Sequence, residues 1–188
     1  FILLYYCRLL ELVLGRNSVG YTLHGFIAKS GTFGKFRQPE ARVSVVELNQ
    51  GFDLLLNDVY LGQLLEASGY GDADSQDSEW LLGDILIEMT TELSNETAIA
   101  YINADFFGGS GYQQAIVWEN GQQILKSETK ISSIPKSFGP INEALRILGV
   151  KRDDQLDEFQ AVGLSRYRQM ERWFEEATGI DFRDYLNQ

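Results

Sequence analysis

The sequence predicts an α+β domain in which helices cover one face of an antiparallel sheet. Short β-branched and aromatic runs end in Gly, Asn and Asp turn signals. Other stretches place apolar residues at helical spacing. The order is strands, helix, strands, helices, without the regular alternation that builds a parallel sheet. A chain of 188 residues fits one domain with a sizeable buried core. Residues 19–188 are expected to form that domain.

Residues 1–18, beginning FILLYYCRLLELVLG, are apolar but broken by Arg8 and Glu11. They fall short of the roughly 20 uninterrupted apolar residues of a membrane span. They also lack the basic start and small-residue cleavage site of a secretory signal. The first methionine is Met89, so this segment is expected to be an appended leader, with an amphipathic helix as the alternative.

VGYTLHGFIAKSG reads as a strand, and GTFGKFRQPE as a loop. ARVSVVELNQGFDLLLND reads as a hairpin turning at Asn49-Gln50-Gly51. In DVYLGQLLEASG, Asp58 can cap a short helix and Gly69 can end it. After the acidic loop YGDADSQDSE, the main helix is expected over 79–94, capped by Ser78 or Asp77. Leu82, Ile85, Leu86, Met89 and Leu93 would form its apolar face.

The strongest strand signal covers 97–130, where a three-stranded meander is expected. Ala98, Ala100, Ile102, Ala104 and Phe106 alternate with Ile99, Tyr101, Asn103 and Asp105. A glycine-rich loop within DFFGGSGYQQ makes the first turn, and Asn120-Gly121 the second. Helices follow at about 140–149, with Pro140 opening and Gly149 closing, and 165–178, with Ser165 as cap and Gly179 as stop. Tyr167, Met170, Phe174 and Ala177 are expected as the buried stripe of the latter. The charged connector between them has room for one helical turn.

Composition removes several function classes. A net charge of −11 opposes binding to phosphate backbones, so no nucleic-acid partner is expected, and a basic protein suits it better. The single cysteine, Cys7, permits neither an intramolecular disulfide nor a thiolate zinc site, which fits a reducing cytoplasmic compartment. No cofactor, metal or membrane partner is expected. An exposed sheet edge would permit a homodimer, which the sequence leaves undecided.

Four features carry candidate chemistry. The glycines at 108, 109 and 111 lie between strands, with no Gly-Lys-Ser/Thr and no GxGxxG spacing. A phosphate cradle joins a strand to a helix, so backbone geometry explains them better. Asp105, Tyr112 and Gln114 beside them can form a recognition surface. Asp72, Asp74 and Asp77 also suit partner contact, but an EF-hand counted from Asp72 has Asp77 at its sixth place and Gly83 at its twelfth, so the calcium pattern fails. His24, the only histidine, is a candidate general base, and a packed strand residue on the blander reading. The acids Asp153, Asp154, Asp157, Glu158, Glu175 and Glu176 are expected to face solvent and to pair with Arg166, Arg168 and Arg172.

YINADFFGGSGYQQAIVWENG, with INEALRILGVKRDDQLDEFQAVGLSRYR downstream, resembles a group of small, uncharacterised bacterial proteins. They share a Phe-Gly-Gly-x-Gly-x-Gln hairpin and a C-terminal region running from ALR-LGV to DEF-A-GL-R-R. The resemblance spans about 97–172 and brings no assigned activity. In size, acidity and α+β character the chain is also similar to immunity proteins of bacterial toxin systems, a likeness of general character. The expectation is a non-enzymatic binding domain, immunity-like or inhibitor-like, docking an acidic face on a basic partner. The alternative is a small hydrolase with His24 and Asp105 in a cleft.

Overall fold

A computed structural model of the chain describes residues 20–37, 43–70, 76–77, 82–107, 110–131 and 139–185. The expected leader lies outside these residues. The strands are β1 (Tyr21–Lys29), β2 (Val45–Leu48), β3 (Phe52–Leu56), β4 (Gln76–Asp77), β5 (Leu82–Gly83), β6 (Ile99–Phe107), β7 (Ser110–Glu119) and β8 (Gln122–Ile131). The helices are α1 (Val59–Ala67), α2 (Asp84–Leu93), α3 (Pro140–Ile147), α4 (Glu158–Val162), α5 (Met170–Thr178) and α6 (Phe182–Tyr185). This is an α+β fold. Six strands form one antiparallel sheet in the order β2-β3-β1-β6-β7-β8, and β4 with β5 makes a separate small ladder.

The sheet joins two meanders through β1, which pairs with β3 on one side and β6 on the other. Helices cover both faces rather than the single face expected. Leu23, Ile27, Leu54, Ala100, Ile102, Ala115 and Val117 point to one layer, where Ile141 and Leu145 of α3, Val162 of α4 and Trp173 and Phe174 of α5 close the core. Phe26, Leu55, Tyr101, Ile116 and Trp118 point the other way, under Leu61 and Leu65 of α1 and Ile85, Leu86 and Met89 of α2. Full burial of each such side chain contributes roughly 1.5–3 kcal/mol. A sheet covered on both sides buries successive residues of its strands rather than alternate ones, and FDLLL and IAYINA are buried at every position.

The turns follow their chemistry. Asn120 and Gly121 take φ of 52° and 70°, the pair of positive angles a tight two-residue hairpin requires. The Asp58 carboxylate accepts from the Tyr60 and Leu61 amides at 3.1 and 3.0 Å, capping α1. Asp157 caps α4 through the Gln160 amide at 2.9 Å, so the connector does hold a helical turn. Gly149 and Gly179 follow α3 and α5 with positive φ, as expected.

Two helix starts differ from the expectation. α2 begins at Asp84, after Gly83, and Asp77 belongs to β4 instead of capping it. Leu82 sits in β5, yet at helical spacing from Ile85 and Leu86, so periodicity alone extended the helix too far. Ser78 lies outside the described residues. α5 begins at Met170, so Ser165 is not its cap. The residues before it close a gap in the sheet, because β3 stops short of the first half of β1. There the Thr22 amide donates to the Arg168 carbonyl at 2.8 Å, and the His24 amide to Met170 Sδ at 3.4 Å. Trp173, fully buried, is the anchor of α5, while the expected Met170 and Ala177 are only partly buried.

Candidate functional site

Strand register assembles one polar region. His24 on β1 stands opposite Asn103 on β6, Asn103 opposite Gln114 on β7, and Gln114 opposite Glu128 on β8. One step toward the hairpin end, Thr22, Asp105, Tyr112 and Lys130 line up in the same way. Alternation puts both rows on the face that carries Phe26, Tyr101 and Ile116. Half of that face is therefore an apolar core under α1 and α2, and the other half is polar.

Asn103 and Gln114 form the floor. They are 1% and 4% exposed, and buried amides need partners. The Asn103 amide donates to Gln114 Oε1 at 2.9 Å, and the Gln114 amide donates onward to Glu128 Oε2 at 3.4 Å. In the outer row, the Thr22 hydroxyl donates to Asp105 Oδ1 at 3.5 Å. The Tyr101 phenol completes the floor. Burial pushes its pKa up, a hydrogen bond with Asn57 counters this, and Tyr112 lies close enough to act on it electrostatically. His24, Asp105 and Tyr112 are half-buried and border this floor.

The hairpin end is tight. Phe107 pairs with Ser110, so β6 and β7 run on until only residues 108 and 109 separate them. Gly111 is a strand residue opposite Phe106. A Cβ there would meet the Asp105 carbonyl oxygen at 2.2 Å and Phe106 Cδ1 at 2.7 Å. This glycine allows the two backbones to close. Phe107, 67% exposed, follows Asp105 by two residues and alternates to the same face.

Of the sequence candidates, Asp105, Tyr112, Gln114 and His24 come together. Asp77 does not join them, since it lies in β4 opposite Leu82. Asp72 and Asp74 lie outside the described residues. Sequence reading missed Asn57, Asn103, Thr22, Glu128 and Lys130. Their signal, polar residues recurring among apolar ones, becomes a site only once β1 is known to pair with β6. Among the described residues no three His, Cys, Asp or Glu side chains are grouped to hold a metal ion, and no helix is long and apolar enough to cross a membrane.

Several of the other charged groups hold the fold together. Arg166 pairs with Glu176 at 2.6 Å and Arg172 with Glu175 at 2.7 Å, within the C-terminal helical region. Asp157 and Glu158 are buried rather than solvated, the first as a cap and the second paired with Arg146 at 3.0 Å. Buried Asp53 accepts from the Ser30 hydroxyl and the Gly31 amide and pairs with Arg37, holding the turn after β1.

Compared with family models, curated proteins and solved structures, the chain gives no match.

Proposed function

We propose that this chain is a non-enzymatic, cytoplasmic binding domain of immunity-like or inhibitor-like character, docking the polar end of its sheet on a basic protein. The observation that carries the reading is the register pair Asp105–Tyr112, with exposed Phe107 beside it. A carboxylate, a phenol and an aromatic anchor at one end of a hairpin suit the recognition of Lys or Arg side chains in a partner. The net charge of −11 supports a basic partner, since complementary charge speeds encounter and selects among partners. The acids at Asp72, Asp74 and Asp77 would add to that field.

The hydrolase reading keeps one supporting observation. His24 and Asp105 are diagonal neighbours across β1 and β6. A base of this kind needs a nucleophile or a held water. The Thr22 hydroxyl donates to the Asp105 carboxylate itself. Binding therefore fits the side-chain chemistry better.

Capture from a bacterial lysate on immobilised protein, run beside the Asp105→Asn/Phe107→Ala variant, tests the proposal. The expected result is a basic protein retained by the wild type, released by salt and missing from the variant. Hydrolytic turnover that disappears in His24→Ala would favour the enzyme instead.

A further inference from the structure

We propose that β8 pairs with β8 of a second copy of this chain, antiparallel and centred on Ser127. The chain treats its open strand edges unequally. At one end of the sheet, β2 is four residues long, and the Arg166 guanidinium donates to the Glu47 carbonyl at 2.7 Å. The uncovered half of β1 is closed by Arg168 and Met170. At the other end, β8 is ten residues long, and among the described residues it ends the sheet. A long edge offers a row of backbone donors and acceptors to another strand.

The side chains of β8 select the occupant. Lys126, Glu128 and Lys130 alternate along one face and are exposed. Lysine alone would repel a second edge, whereas the intervening glutamate makes the strand complementary to itself. Two strands related by a twofold axis through Ser127 place Lys126 of each copy opposite Glu128 of the other, giving two ion pairs. Registers centred on Lys126 or Glu128 instead oppose like charges, which destabilises a sheet. A register centred on Thr129 also pairs Glu128 with lysine, but it overlaps only residues 127–131 of β8. The Ser127 register lets residues 123–131 overlap, and the extra residue of the β-bulge, Ile124, between Gln123 opposite Trp118 and Leu125 opposite Val117, falls outside its central five pairs.

The helix layer leaves room. α3 packs chiefly over β7, and the two β7 strands would lie three strand spacings apart, roughly 14 Å. Packed helices need about 8–10 Å between axes. Pairing would also join the two polar rows, since Gln114 already contacts Glu128. The recognition faces of the two copies would form one continuous band.

Light scattering after gel filtration of the full chain, over a dilution series, tests this. The expected result is a dimer whose dissociation constant rises roughly tenfold or more in Lys126→Glu, where both ion pairs become repulsions. The Lys126→Glu/Glu128→Lys double variant restores complementarity and is expected to dimerise like the wild type. Lys130→Glu is expected to leave the dimer in place, and circular dichroism confirms that each variant is folded. A wild type that is monomeric at every concentration overturns the proposal. So does a dimer that Lys130→Glu breaks instead of Lys126→Glu, or a double variant that stays monomeric.

Discussion

The Asn103 side-chain amide donates to Gln114 Oε1 at 2.9 Å between neighbouring strands, and both residues are almost fully buried. Elsewhere on this face the same register positions carry Tyr101 and Ile116. Apolar residues would pack there at no desolvation cost, so the amide pair is a polar insertion that the fold tolerates. Asn103→Leu removes the donor to the buried Gln114 Oε1 and is expected to cost about 1–3 kcal/mol. The Asn103→Leu/Gln114→Leu double variant is expected to recover most of that loss. Urea unfolding of both variants checks this, and a double variant as unstable as the single one would mean the pair holds the sheet together.

Gly111→Ala is expected to destabilise the protein by more than about 2 kcal/mol, because its Cβ would meet the Asp105 carbonyl oxygen at 2.2 Å. Backbone cannot yield there without opening the β6–β7 hairpin. Gly34→Ala meets nothing within 4 Å and is expected to stay within about 1 kcal/mol of the wild type. Thermal melts of the two variants make the comparison.

Burial raises the Asp58 carboxyl from its ordinary 3.8 to about 6, against the opposing hydrogen bonds from the Leu61 and Tyr60 amides. Folding therefore draws a proton onto Asp58. That contribution is fully present below the unfolded value and is lost as the pH rises through about 6. Asp58→Asn keeps an acceptor for the first amides of α1 and does not ionise. Relative to this variant, the wild type is expected to lose on the order of 2–3 kcal/mol between about pH 4 and pH 7. Denaturant midpoints of both proteins across that range check the sign, and a constant gap would remove burial as the cause.

Local chemistry made much of the fold legible. Asn120-Gly121, Asp58, Pro140, Gly149 and Gly179 each specify a turn or a helix boundary through a backbone or capping requirement, and each lies where that requirement places it. Long-range pairing was not legible. Nothing near His24 indicates that Asn103 will stand opposite it, some 80 residues away in the chain. The second helix layer had a signal in the three consecutive leucines Leu54, Leu55 and Leu56, which a sheet wet on one side does not favour. The start of α2 was hidden because Leu82 keeps helical spacing while lying in a strand. Ser165 looked like a cap because serine favours turns as well as helix starts, and here it lies in the turn that follows α4.

The affinity of the captured basic partner for the wild type and for Asp105→Asn, measured by calorimetry at two ionic strengths, tests the central claim most directly. Asp105→Asn is isosteric and keeps an oxygen that can accept from the Thr22 hydroxyl, which donates to Asp105 at 3.5 Å, so the fold is expected to stay intact. The expected result is affinity at least about tenfold weaker for the variant, with a smaller dependence on salt than the wild type shows. Equal affinity and equal salt dependence for the two proteins would contradict the assignment of the polar sheet end as the binding surface.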